Sequence, residues 1–264
     1  MYKFSFLLLS FIVVGVFFAP QLYTVSPFTL DPNKILLTPS WDHIMGTDRL
    51  GRDMFARILN GGQTSIIIGF LSALIASLIG LVIGISAGYF RGNTDKSITI
   101  IIDLFLTFPT FFLLLALVSY MEASITILII VLVITGWMGM ARMIRSESFA
   151  ITQKPFIKIL DLAKVSKGKI IFKYFAPLLA PIFLISFTFG VGGAILAESG
   201  LSFLGLGINA PQISWGSLMS EGKEVIEIAW WISFFPGLFI FLITFCLMQI
   251  ADFLQQKANN KELN

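Results

Sequence analysis

Between residues 41 and 57 the chain interleaves three Asp and three Arg around its only His: Trp41-Asp42-His43-Ile44-Met45-Gly46-Thr47-Asp48-Arg49-Leu50-Gly51-Arg52-Asp53-Met54-Phe55-Ala56-Arg57. Opposite charges this close pair with one another, and the chemistry they offer is a mutually neutralised polar surface. His43 has no second imidazole to join in a metal cage, so it reads as a packed or interfacial group. Three more carboxylates, Asp103, Glu198 and Asp252, lie in or beside long apolar runs. Ionisable groups at that depth are costly and face protein or a water-filled path. Asp103 and Asp252 sit near the ends of their runs, where anchoring by Arg or Lys is expected. Glu198, followed by Ser202 and Phe203, is the candidate for an outer gate. The third group is basic. Residues 142–173 hold eight of the eighteen Lys and Arg, a surface for a partner or for anionic lipid, which attracts each such cation by about 1 kcal/mol.

Hydropathy sets the elements that must position these groups. The chain has 264 residues, 56% of them hydrophobic and only 12% charged, with a mean hydropathy of +0.89, which excludes an ordinary soluble domain. A bilayer core about 30 Å thick needs roughly 20 apolar residues per helix. Six runs meet that need, near 4–20, 65–89, 98–120, 125–140, 178–197 and 230–250. They lack the alternation of barrel strands, so an all-α integral membrane fold follows. Cys246 is the only thiol and lies in the last run, which excludes an intrachain disulfide. The first run could be a signal peptide or an anchor. It is longer than an h-region of about 7–15 residues and ends Phe17-Phe18-Ala19-Pro20, so it reads as a retained anchor.

Basic residues flanking spans stay in the cytosol. With the N-terminus inside, 13 Lys and Arg fall on the cytosolic side and 5 outside. The topology is six spans with the N-terminus and C-terminus cytosolic. Residues 1–64 form an anchor helix and an outer amphipathic segment; residues 65–264 form the core, with a cytosolic loop at 142–173. In the outer segment Thr47 or Asp48 is expected to cap a short surface helix with Asp53 in its first turn. Ala76, Gly80, Gly84 and Gly88 repeat every four residues, a close-packing stripe for a helix of this chain or of another subunit. Leu201 to Gly207 is expected to pack at the outer membrane surface, with Gly205 and Gly207 reversing the chain and Trp215 at the interface.

The pattern His43-x-x-Gly46-Thr47-Asp48-x-x-Gly51-Arg52-Asp53-x-x-x-Arg57 resembles the signature of the C-type permease subunits of bacterial ABC importers for dipeptides, oligopeptides and nickel. A second stretch is similar to the same family: Gly192-Gly193-Ala194-Ile195-Leu196-Ala197-Glu198-Ser199-Gly200-Leu201-Ser202-Phe203-Leu204-Gly205-Leu206-Gly207, then Pro211 and Ser214-Trp215-Gly216. The resemblance extends through Gly88-Tyr89-Phe90-Arg91-Gly92 to Phe108-Pro109 and covers nearly the whole chain.

The resemblance implies an importer permease of type I architecture in the bacterial inner membrane. It would pair with a paralogous permease, above two cytosolic ATPase subunits and beneath an extracytoplasmic substrate-binding protein. ATP and Mg would sit on the ATPases and no cofactor on this chain, which has no Gly-x-x-x-x-Gly-Lys-Ser/Thr phosphate loop. No nucleic acid is implied. The outer motif would form part of the rim under the binding protein. In the family, a cytosolic helix between spans four and five docks on the ATPase. Here it is expected from about Pro155 to Ser166, presenting Pro155, Phe156, Lys158, Ile159, Leu160, Ala163 and Lys164. The family pattern of Glu-Ala-Ala, three residues, then Gly is replaced by Lys158-Ile159-Leu160 and Lys164, which reverses a charge offered to the ATPase. Two other classes remain open, an ion-gradient-driven secondary transporter and a structural membrane subunit. No duplicated halves with paired intramembrane carboxylates are found in the chain. Peptide and nickel chelate are both open as cargo.

Overall fold

The computed structural model describes residues 2–121 and 124–262, and it is built from helices. In chain order these are α1 (Tyr2–Leu22), α2 (Met54–Phe90), α3 (Gly92–Leu106), α4 (Thr110–Ser119), α5 (Ile125–Thr152), α6 (Pro155–Leu162), α7 (Lys167–Ile170), α8 (Ala176–Phe203), α9 (Trp215–Lys223) and α10 (Trp231–Glu262). A π-helical stretch, Ile171–Phe175, joins α7 to α8, just where Pro177 withdraws a backbone donor. Five helices are long and apolar enough to span a bilayer, and α3 and α4, bent by 80° to each other, meet that test only as a pair. The run expected over 98–120 is thus two helices and not one. Pro109 has no N–H to continue the ladder and drives Phe108 out of the helical region, so the chain turns between α3 and α4.

The central helix α2 packs on α5 and α8, while α10 packs on α8, α9 and α1. The α2–α5 seam is the small-residue stripe, an internal contact of this subunit. A Cβ added at Gly80 would stand 2.7 Å from Met140 Cβ, one at Gly84 2.7 Å from the Ala141 carbonyl, and one at Gly88 2.6 Å from Ser148 Cβ. Absent side chains let two backbones meet, which is a main source of helix association in lipid.

Two ends flank the bundle. At one, α1, α2, α8, α9 and α10 converge on Ile12, Met54, Ile195, Trp215, Leu218 and Trp231. At the other, Ile85, Ile144, Ile151, Ile157, Ile170 and Phe175 form a core joining α2 and α5 to α6 and the start of α8.

Candidate functional site

The outer end is built on two buried carboxylates. Asp53 caps α2, its Oδ1 accepting from the Ala56 N–H at 2.9 Å. The separate surface helix capped by Thr47 or Asp48 does not form: Asp53 is itself the cap, and the helix runs unbroken from Met54 to Phe90. Asp53 Oδ2 accepts from the Tyr23 hydroxyl at 3.1 Å and pairs with His43 Nδ1 at 2.8 Å. Burial, and then the Asp53 carboxylate, push Tyr23 up to about 12. Asp48 Oδ1 accepts from the N–H groups of Leu50 and Arg52, and its Oδ2 from Arg52 Nε at 2.6 Å and from Arg57. The other arms of Arg57 and Arg52 reach Glu221 of α9 at 2.8 and 3.1 Å, and Arg49 pairs with Glu224. Gly46 and Gly51 have φ of +75° and +72° and shape the loop around Asp48. A side chain at Gly46 would collide with Trp231, whose indole N–H donates to the Thr47 carbonyl at 3.0 Å. The interleaved charges are thus largely an internal lock: Asp48, Asp53 and Arg57 are buried, with Arg57 only 1% exposed.

A second lock lies about two turns further along α2. Glu198 is 0% exposed and accepts from Ser65 of α2 at 3.1 Å and from Ser202 at 2.7 Å, with Ser199 at 3.5 Å. Ser65 in turn accepts from the Trp215 N–H, and the Trp215 indole donates to the Ile58 carbonyl at 2.9 Å. Trp215 is wholly buried, which corrects its expected place at the membrane interface. The ring fills the space over Gly62, where an added Cβ would stand 2.6 Å from it. Helix α8 runs on to Phe203 before Gly205 turns the chain, so Leu201 is core and not membrane surface. Ser220 of α9 donates to the Phe203 carbonyl at 3.2 Å. In this conformation Glu198 joins three helices, while Ser202 borders an outer cavity of about 750 Å³ whose wall includes Arg49, Arg52, Glu221 and Glu224. A second cavity, about 510 Å³, lies between α2, α4, α5 and α8; its lining is mainly apolar, with Leu114, Leu132, Met140 and Phe189, and carries the hydroxyls of Ser72, Ser77 and Thr135.

At the other end α6 is held by Ile157, 1% exposed, with Leu160 half-buried beside it. Its opposite face is open to solvent: Phe156, Ile159 and Leu162 are exposed, the last two by 63% and 84%, alongside Pro155, Lys158, Ala163 and Lys164. The helix ends at Leu162 rather than near Ser166 because Lys164 adopts φ +51° and the Val165 N–H closes back to the Leu160 carbonyl at 3.1 Å, a left-handed stop. Around it Arg145 pairs with Asp95 through both guanidinium arms, and Arg142 anchors Asp103.

Residues 80–260 match the family described as binding-protein-dependent transport system inner membrane component. The chain belongs to this family. It is 32% identical over 260 residues to the oligopeptide transport system permease protein OppC of Haemophilus influenzae, covering 98% of this chain and 84% of that one. It is 35% identical over 253 residues to the dipeptide transport system permease protein DppC of Alkalihalophilus pseudofirmus, covering 96% and 83%. Among solved structures, the inward-facing MetNI methionine ABC transporter superposes with a TM-score of 0.60 at 16% identity, over 76% of this chain and 97% of that one. That likeness concerns the fold. The protein is a multi-pass inner-membrane permease of the ABC importer class.

In this permease the backbone at Lys164 is left-handed, with φ +51°. Sequence reasoning passed over Glu221, Ser65 and Tyr23. Their signal was weak: Glu221 lies 164 residues from Arg57, and only the Ser214/Ser217 capping box marks the start of its helix.

Proposed function

We propose that this permease forms, with a paralogous permease, the membrane pathway for a peptide handed over by an extracytoplasmic binding protein and driven by two separate ATPase subunits. The observation that carries the reading is α6, a helix pinned by Ile157 that leaves Ile159 and Leu162 without cover, with Phe156 partly exposed beside Tyr174, at the basic end of the bundle. Apolar side chains so exposed on a short helix are explained by a groove that receives them. ATP-driven closure of the ATPases pulls α6 and with it the Ile157 core, so the α2–α5 unit tilts and opens the outer end. The cavity lined by Ser72, Ser77 and Thr135 is half of a pathway whose other wall the partner supplies. Its hydroxyls suit the amide groups of a passing peptide without holding them tightly. The outer cavity, with its paired Arg and Glu side chains, faces the binding protein.

Peptide is preferred to nickel chelate as cargo because the similar proteins named above are oligopeptide and dipeptide permeases. Reconstitution in vesicles with the partner permease, the ATPases and the binding protein tests the whole reading. Uptake of labelled di- or oligopeptide that requires both ATP and this chain is expected. Uptake without ATP would point to a secondary transporter, uptake without this chain to a structural subunit, and ATP-dependent uptake of nickel alone would reassign the cargo.

A further inference from the structure

At the cytosolic end Arg91, Lys158 and Lys167 line one cleft of about 400 Å³, together with Phe90, Thr152 and Gln153. The three cations come from three places: the turn between α2 and α3, helix α6, and the first residue of α7. Elsewhere at this end each Arg has its carboxylate, Arg142 with Asp103 and Arg145 with Asp95. Among the described residues no carboxylate pairs with Arg91, Lys158 or Lys167. Arg91 is instead fixed by neutral groups, donating to Thr152 and lying 4.4 Å from the Phe149 ring centre, in a backbone with φ +55°. Lys167 sits 5.4 Å over the Phe90 ring. Helices α2 and α5 end at the cleft while α6 and α7 begin there, so partial charges of opposite sign meet and offset one another. Among the described side chains these three positive charges have no carboxylate partner.

We propose that this cleft binds the phosphate of an anionic phospholipid of the cytosolic leaflet. Charge chooses an anion, and the flank of the cleft chooses a lipid. Along α2 the exposed side chains Leu71, Ile75, Leu78 and Val82 fall at helical spacing on one face. They make an apolar ridge within the span, and Phe90, exposed two turns further on and about a quarter-turn round the helix, carries apolar surface into the wall of the cleft. An acyl chain lies along that ridge while its phosphate reaches the Arg91 guanidinium, whose fork suits phosphate oxygens. A free phosphate or a protein carboxylate would leave the ridge without a role. Because Lys158 belongs to α6, a bound headgroup ties that helix to the ends of α2 and α5. The site stands whether or not α6 couples to an ATPase.

Native mass spectrometry of the purified full chain, offered phosphatidylglycerol and phosphatidylcholine in equal amounts, tests it. Wild type is expected to retain phosphatidylglycerol in preference, and Lys158→Gln with Lys167→Gln to weaken that preference by about 30-fold. Both side chains are exposed, so folding does not depend on them, and Arg91→Gln provides an independent variant. Lys169→Gln with Lys173→Gln, which removes two cations outside the cleft, should leave retention unchanged. Equal retention of the two lipids, or an unaltered preference in the cleft variants, would overturn the proposal. So would displacement of the lipid by inorganic phosphate, which would make this a free-anion site, or its loss on assembly with the ATPases, which would give the cleft to a protein carboxylate.

Discussion

Arg57 is buried with Asp48 beside it and Glu221 beyond. Removing one member of a buried ion pair strands the other, at a cost of about 3–5 kcal/mol. Arg57→Ala should therefore lower the thermal unfolding midpoint in detergent far more than Arg49→Ala, whose side chain is half exposed. Glu198 makes a similar case. Glu198→Gln keeps an oxygen for one of the Ser65 and Ser202 hydroxyls and turns an NH2 donor toward the other, so it is expected to cost less than Glu198→Leu, which leaves both hydroxyls without that partner at about 2–4 kcal/mol. Lys164 runs the other way. A left-handed backbone costs a non-glycine residue about 1 kcal/mol, so Lys164→Gly should raise the midpoint slightly. At this scale the spacing of Asp and Arg made the Asp48 pairing with Arg52 and Arg57 legible. It could not show the remaining partners, since Glu221 and Tyr23 are brought in by tertiary packing and no local period connects them to Arg57 and Asp53.

Among the elements, α2 and α5 carry the tightest seam. Gly84→Leu would drive a side chain into the Ala141 carbonyl and the Ile144 side chain, and overpacking of this kind typically costs 1–3 kcal/mol or more. Loss of folded protein on size-exclusion chromatography is the expected outcome, while Gly193→Ala, with nothing near its Cβ position, should behave as wild type. The stripe was readable in advance from its four-residue repeat. The broken third span was not, because composition reports that a run is apolar and only Pro109, at its middle, warns of a bend. The early end of α6 was hidden for a related reason: stops of this type are read from Gly, and here Lys164 takes the same backbone form.

For the whole molecule, the long apolar runs and the asymmetry of Lys and Arg made a helical membrane protein legible from composition, since backbone in lipid has few alternatives. The two cavities were not legible, being spaces between helices whose relative placement no run of residues encodes. Two ends joined by α2, α5 and α8 give a body able to pass a movement at one face to the other. The central claim is that α6 passes it on. Ile159→Asp with Leu162→Asp changes only exposed side chains and leaves the Ile157 anchor in place, while Phe156→Asp serves as a second test; Leu160→Asp is less clean because Leu160 packs partly inward. The most direct measurement is ATP hydrolysis by the assembled complex in vesicles, with and without loaded binding protein. The account predicts that substrate-stimulated hydrolysis is abolished in the Ile159→Asp/Leu162→Asp complex although the chain remains folded, and stimulation equal to that of wild type would contradict it.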